Sequence, residues 1–155
     1  MEIILGSDHG GFDLKEACKS YLEKLSGYKI KDAGVFSHES SNYPEIAHQV
    51  AKAIAAGEYA RGILVCGTGL GMSIVANRYK GVRAALCHNL YTARMGRLHN
   101  DANILVMGGR VIGVALALEM VDIFLTVPFE GGRHNVRLNQ IDSEAYFGGK
   151  KLTTD

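Results

Sequence analysis

The segment Cys66–Gly71, with the sequence CGTGLG, separates two stretches of contrasting pattern. Residues 62–65 before it form an apolar run typical of a buried strand, and residues 72–79 after it repeat apolar side chains at helical spacing. Its three glycines let the backbone bend so that several N–H groups converge on one point. Such a turn is suited to an anion, or to an oxygen that becomes negative, and the thiol at the strand end would face it. Glycines in this position also occur in tight turns without function. Other parts of the sequence are needed to distinguish a binding turn from a purely structural one.

Short apolar runs alternate with helical patterns along the whole sequence. We predict strands and helices in the following ranges: strands at 2–7, 28–33, 63–66, 82–87 and 104–107, and helices at 14–25, 44–56, 72–79, 91–98, 112–125 and 133–141. This alternation predicts a three-layer α/β/α sandwich, Rossmann-like, on a five-stranded parallel sheet. We expect one domain over residues 1–143 and a C-terminal tail over 144–155. The helix at 112–125 is more apolar than one sheet face requires, which indicates a subunit interface.

Composition and charge exclude several classes of function. The chain has 155 residues and a formal net charge of +1, which gives no reason to expect a nucleic acid or an anionic membrane as partner. The longest apolar stretch, 111–118, is too short to cross a bilayer. Three cysteines without CxxC spacing argue against a disulfide framework or a zinc site. Because Glu2 directly follows Met1, we also expect no signal peptide and a cytoplasmic location.

Cofactor motifs are missing from the sequence. The glycines of the 66–71 turn do not match GxGxxG in either frame, and no Walker A loop or GxSxG nucleophile elbow is present. No set of His, Asp and Glu has a spacing typical of a metal site. We therefore expect neither a cofactor nor a metal.

Polar residues follow the predicted strands where the carboxyl ends of a parallel sheet meet. They should gather along one rim, and they are Ser7-Asp8-His9, the 66–71 turn, His88-Asn89 and Gly108 to Arg110. Thr68 and Ser73 add hydroxyl groups near the turn. This gathering supports a functional reading of the thiol and its glycines.

Basic residues near the C-terminus indicate an anionic ligand. Arg133 and Arg137 lie four residues apart on a predicted helix and so share a face, next to a Gly-Gly turn. Two guanidinium groups on one face are suited to a phosphate monoester, and Arg110 could join them. A solvated basic helix face is the alternative. Together with a thiol and with the pairs Asp8-His9 and His99-Asn100, the arginines favour proton transfer on a small phosphorylated molecule.

Several blocks of sequence resemble the type B ribose-5-phosphate isomerase family. They occur in the same order over residues 1–142 and are Ser7 to Gly11, Asn42-Tyr43-Pro44, Cys66 to Ser73, His99 to Asn103 and Glu130 to His134. The resemblance implies an aldose–ketose isomerase of the pentose phosphate pathway that acts without metal or cofactor. It also implies a homodimer or homotetramer with active sites shared across the interface. Asn42 departs from the Asp that this family often carries there.

The resemblance also implies roles for individual residues. It assigns the base to Cys66 and the ring-opening acid/base to His99, and we count Thr68 with them as catalytic. The expected substrate contacts are Asp8, His9, Tyr43, Gly67, Gly69, Gly71, Ser73, Asn100, Arg110, Arg133 and Arg137. Two alternatives stay open: an isomerase of a six-carbon sugar phosphate such as allose 6-phosphate or galactose 6-phosphate, and a non-catalytic sugar-phosphate binding module.

Overall fold

The computed structural model describes residues 1–143, so the predicted tail at 144–155 lies outside the described residues. The elements in chain order are β1 (Glu2–Ser7), α1 (Phe12–Glu23), β2 (Lys29–Asp32), α2 (Tyr43–Ala55), β3 (Arg61–Cys66), α3 (Leu70–Ala76), β4 (Ala84–Leu86), α4 (Leu90–Leu98), β5 (Ile104–Gly108), α5 (Val114–Thr126) and α6 (Arg133–Ile141).

The five strands form one parallel sheet in the order β2-β1-β3-β5-β4. This confirms the predicted fold class. The central strand β3 pairs with β1 and β5, with Ser7 opposite Val65 and Cys66 opposite Gly108. The carboxyl ends of β1, β3 and β5 therefore lie side by side, and the loops that leave them share one edge of the sheet.

Two apolar layers cover the sheet, because side chains alternate between its faces. Ile3, Leu5 and Val65 pack on one face with α1, α4 and α5. Ile4 and Leu64, together with Cys66, pack on the other face with α2 and α3. Most of these strand residues are fully buried, as the interior strands of a sheet covered on both faces must be.

Several predicted bounds differ from the structure. The predicted strand at 82–87 is only Ala84–Leu86, and the helix predicted at 72–79 already begins at Leu70. Its start is earlier because Gly69, with a φ of 80°, ends the turn and lets the next residue enter the helix.

The apolar composition of α5 has an explanation within the chain. Ala117, Met120, Val121 and Phe124 are at most 1% exposed in the core beneath α1 and α4. One face of this helix is thus buried in its own chain, and the predicted subunit interface stays a prediction. Its first residue, Val114, is 49% exposed. Among the described residues, none of the helices has the length and apolar character needed to cross a bilayer.

Candidate active site

The thiol of Cys66 lies at the last position of β3, where the chain leaves the sheet. The residue is 5% exposed, and its Sγ accepts a hydrogen bond from the backbone N–H of Gly69 at 3.1 Å. An amide donor so close stabilises negative charge on the sulfur. Two hydroxyls hold the same turn: Thr68 Oγ1 accepts from the Leu70 N–H at 3.3 Å, and Ser73 Oγ donates to the Leu70 carbonyl at 2.8 Å.

The glycines of the turn permit close approach by neighbouring groups. A Cβ on Gly69 would lie 2.5 Å from Leu86 Cδ1, and one on Gly71 would lie 2.5 Å from the ring of Tyr43. A Cβ on Gly67 would lie 3.6 Å from the Arg110 side chain. Tyr43 and Arg110 therefore lie against the turn, as expected if they contact the same ligand as the turn.

Asp8 and His9 lie beside the same turn, at the end of β1. Asp8 is 8% exposed; its N–H donates to the Val65 carbonyl at 3.2 Å, and its carboxylate accepts from the Gly11 N–H at 3.0 Å. A Cβ on Gly10 would lie 3.2 Å from the Gly67 nitrogen, so the two loops are in contact. The predicted gathering of polar residues at this edge is thus observed for the loops that leave β1, β3 and β5.

A second cluster contains His99, Glu130 and His134. The rings of His99 and His134 stack with centroids 4.3 Å apart, and each Nε2 lies 3.7 Å from the same carboxylate oxygen of Glu130. Arg133 Nε and Arg137 Nη1 lie 3.4 and 3.5 Å from the ring nitrogens of His134. This cluster holds the predicted ring-opening histidine and both predicted phosphate-binding arginines.

The two clusters lie at opposite ends of the strands. The first lies where the strands end, which we call the carboxyl edge of the sheet, and the second lies where they begin, which we call the amino edge. His99 directly follows α4, in the connection that leads into β5, and the Asn103 carbonyl at the end of that connection accepts from the N–H of Gly62, near the start of β3. Cys66 ends the same strand, and from Gly62 to Cys66 a strand rises about 13 Å. Asn100 is at the far edge too, where it lines a groove of about 910 Å³ with Arg83 and Asp142.

The predicted site residues therefore do not converge within one chain. One group, at the carboxyl edge, contains Cys66, Thr68, Gly67, Gly69, Gly71, Ser73, Asp8, His9, Tyr43 and Arg110. The other, at the amino edge, contains His99, Asn100, Arg133 and Arg137. A mechanism in which Asp8 or His9 of the same chain assists His99 is excluded by this separation.

Comparison with known proteins identifies the family. The sequence model of the Ribose/Galactose Isomerase family matches residues 3–141. The chain belongs to this family. It is 46% identical to ribose-5-phosphate isomerase B of Escherichia coli strain K12 over 90% of this chain and 93% of that protein. The structure of Clostridium thermocellum ribose-5-phosphate isomerase B superposes with a TM-score of 0.92 at 49% identity, covering 96% of this chain and all of the other.

Another similar protein has a different substrate in its name. A 4-deoxy-4-sulfo-D-erythrose isomerase of Clostridium sp. strain MSTE9 is 47% identical over 83% of this chain and 81% of that protein. These matches confirm the resemblance found in the sequence.

The three cysteines differ in their surroundings. Burial raises the pKa of Cys18 to about 12, and burial also raises the pKa of Cys87, so both thiols stay protonated near neutral pH. Of the three sulfurs, Cys66 Sγ is the one for which a backbone amide donor is observed.

The His99–Glu130–His134 cluster has donor atoms that could approach a metal, since all lie within 4.8 Å of one another. The positive charge beside it favours an anion at this place instead, because the guanidinium groups of Arg133 and Arg137 lie next to His134. Burial, followed by the neighbouring His99 and Arg133, lowers the pKa of His134, so this ring is neutral near pH 7 and the positive charge comes from the arginines.

Sequence reasoning gave no role to three residues at these sites. Glu130 and His134 belong to a block that indicated the family, and their four-residue spacing is typical of a pair on one helical turn, but their contact with His99 is distant in sequence. Ser41 contacts His9 across 32 positions, and no local pattern in the polar loop at 34–43 indicates it.

Proposed function

We propose that this chain interconverts ribose 5-phosphate and ribulose 5-phosphate through a cis-enediolate, with the thiolate of Cys66 as the base. The observation that carries the proposal is the short contact between Gly69 N–H and Cys66 Sγ, in a chain of an isomerase family. A sulfur that accepts an amide hydrogen bond at the rim of a glycine turn is suited to hold negative charge. The related enzymes from Escherichia coli and Clostridium thermocellum carry this activity in their names.

The proposed reaction moves a proton between two neighbouring carbons of the open-chain sugar, C2 and C1. Cys66 takes the proton from C2, the C–H electron pair becomes the C1–C2 double bond, and the C1 carbonyl oxygen becomes negative. Amide N–H groups of the 67–71 turn, with Thr68 Oγ1 beside them, stabilise this oxygen. The C2 hydroxyl then passes its proton to the C1 oxygen, the thiol returns its proton to C1, and the C2 oxygen becomes the carbonyl of the ketose. No redox partner is required, because the electrons stay within the sugar.

The amino-edge cluster would supply the other functions. Arg133 and Arg137 bind the phosphate through charge-assisted hydrogen bonds, and Asn100 contacts the sugar. His99 transfers the proton that opens the furanose ring, with its Nε2 facing the carboxylate of Glu130. Arg110, Tyr43, Asp8 and His9 complete the contacts from the carboxyl edge.

We infer that each active site is built from two chains, in a homodimer or a pair of homodimers. Cys66 and His99 are too far apart in one chain to act on one sugar, but a second chain could bring its amino edge to the first chain's carboxyl edge. Large apolar side chains at or near the carboxyl edge are available for burial: Leu70, Tyr91 and Val111 are 55%, 71% and 51% exposed. Apolar exposure of this kind is typical of an interface.

A direct comparison of substrates tests the proposal. We expect the highest kcat/KM with ribose 5-phosphate, lower values with allose 6-phosphate and galactose 6-phosphate, and the lowest with 4-deoxy-4-sulfo-D-erythrose, whose sulfonate has a single negative charge for the arginines. Turnover with none of these sugars, despite tight binding of ribose 5-phosphate, would favour the non-catalytic binding module. A higher kcat/KM for one of the other three sugars would identify that sugar as the preferred substrate instead.

The remaining proposals concern context. Residues 1–143 act as one catalytic domain that needs no cofactor. The location is the cytoplasm, where the three thiols, all unpaired in the structure, would stay reduced.

A further inference from the structure

Ser41 makes two hydrogen bonds to His9 from the loop that leads into α2. The His9 backbone N–H donates to Ser41 Oγ at 3.1 Å, and the Ser41 backbone N–H donates to His9 Nδ1 at 3.2 Å. The two residues are 32 positions apart, and both are half-buried. This reciprocal pair joins the loop after β2 to the loop after β1.

The second bond decides which ring nitrogen of His9 carries its proton. A backbone amide can only donate, so Nδ1 has to accept and cannot hold a hydrogen. A neutral imidazole then has its proton on Nε2. His9 therefore presents a hydrogen-bond donor, and not an acceptor, to whatever oxygen lies opposite Nε2.

The loop that carries Ser41 is fixed at both ends. At its start, Asp32 Oδ1 accepts from the Gly34 N–H at 2.9 Å, while Lys15 donates to both oxygens of Asp32 at 2.9 and 2.8 Å. The Val35 N–H donates to the Ser7 carbonyl at 2.8 Å, which ties the loop to β1. At its end, Ser41 directly precedes the residue that caps α2. An amide held on such a support keeps a constant direction.

We propose that Ser41 is a positioning residue that holds His9 in the tautomer protonated on Nε2, so that His9 donates a hydrogen bond to an oxygen of the sugar phosphate. The identity of this acceptor rests on the proposed function, but the tautomer does not. Ser41 lies in none of the sequence blocks that indicated the family, and its role comes from these two contacts alone.

The first measurement is the tautomer itself, read from the imidazole ¹⁵N shifts of the full-length protein at slightly alkaline pH. We expect the wild-type signal of His9, assigned by its loss in His9→Gln, to be that of Nε2–H with an unprotonated Nδ1. A signal of the Nδ1–H tautomer would overturn the proposal. Because this readout needs no turnover, it separates failure of the inference from failure of the isomerase assignment.

The second measurement compares three variants at matched positions. Ser41→Ala removes the acceptor of the His9 N–H, Ser41→Thr retains a hydroxyl, and Ser37→Ala removes a serine of the same loop that accepts from the Glu39 N–H. For loss of one hydrogen bond we expect Ser41→Ala to raise KM for ribose 5-phosphate about threefold to tenfold with kcat little changed. Its His9 signal should stay that of Nε2–H, because the Ser41 backbone amide that bonds Nδ1 is unchanged.

Two controls complete the comparison. Ser41→Thr should restore KM, and Ser37→Ala should leave both KM and the His9 tautomer unchanged. The proposal is overturned if Ser41→Ala matches Ser37→Ala in KM. It is also overturned if Ser41→Thr is as impaired as Ser41→Ala, since the hydroxyl would then not be what positions His9.

Discussion

Gly69→Ala tests whether the backbone of the glycine turn, and not its composition alone, supports catalysis. Gly69 has a φ of 80°, and an added Cβ would lie 2.5 Å from Leu86 Cδ1 and 3.1 Å from the Met107 backbone. The left-handed conformation costs roughly 1–2 kcal/mol for a residue with a Cβ. Overlap with Leu86 and Met107 adds about 1–3 kcal/mol of overpacking. We therefore expect the free energy of unfolding to fall by roughly 2–5 kcal/mol.

The effect on catalysis follows from the amide that Gly69 provides. Relief of the overlap has to move the turn, and with it the N–H that lies 3.1 Å from Cys66 Sγ. Loss of one preorganised donor lowers kcat by about 10²–10³. Gly57→Ala is the matched control, because Gly57 has a φ of 73° and an added Cβ there would have no atom within 4 Å.

Urea unfolding and kcat for ribose 5-phosphate, measured on both variants, separate the two effects. Gly57→Ala should lose only the conformational part, about 1–2 kcal/mol, and keep its kcat. The loss of one donor should lower kcat much more than threefold. If the folded Gly69→Ala variant keeps a kcat within about threefold of that of Gly57→Ala, the proposed role of the turn is wrong.

Three further predictions address charge, the thiol and pH. Arg137→Ala should raise KM for phosphorylated sugars at least about tenfold in steady-state assays, since charge-assisted hydrogen bonds contribute roughly 1.5–3 kcal/mol. An unchanged KM would show that Arg137 is not a phosphate ligand. Iodoacetamide should modify Cys66 and abolish turnover, with protection by substrate, while mass spectrometry finds Cys18 unmodified because its pKa is raised to about 12. Turnover that survives complete modification of Cys66 would contradict this. The lowered pKa of His134 means that the unfolded chain binds its proton first, so this residue should reduce the free energy of unfolding as pH falls below about 6.5. His134→Gln should flatten that pH dependence in urea titrations, and an unchanged slope would contradict the assignment.

The fold was accessible from the sequence because its signals are local. Apolar runs such as 62–65 and the glycine turn after them predicted the succession of strands and helices along the chain, and the parallel sheet followed from this alternation. Bounds were less accessible. The short strand β4 depends on where its pairing with β5 ends, which its own residues do not encode.

The candidate site was accessible only in part. Residues that follow strands, such as Asp8 and Cys66, were predicted to lie together because a parallel sheet brings strand ends together. The separation of His99 from Cys66 follows from the same rule but was overlooked: His99 comes after the predicted helix at 91–98 and before the predicted strand at 104–107, and such a connection lies at the amino ends of parallel strands. Ser41 was missed because its contact with His9 arises from the path of a loop, which has no periodic signal.

Complementation between two inactive variants tests the two-chain site most directly. In a mixed dimer of Cys66→Ala and His99→Ala, one site combines both substitutions and the other combines an intact Cys66 with an intact His99. An equal mixture of the two, unfolded and refolded together, gives half mixed dimers, so the account predicts about one quarter of wild-type kcat per chain from statistical pairing. Activity that stays at the level of the separate variants, in a sample shown by native mass spectrometry to contain the mixed dimer, would contradict it.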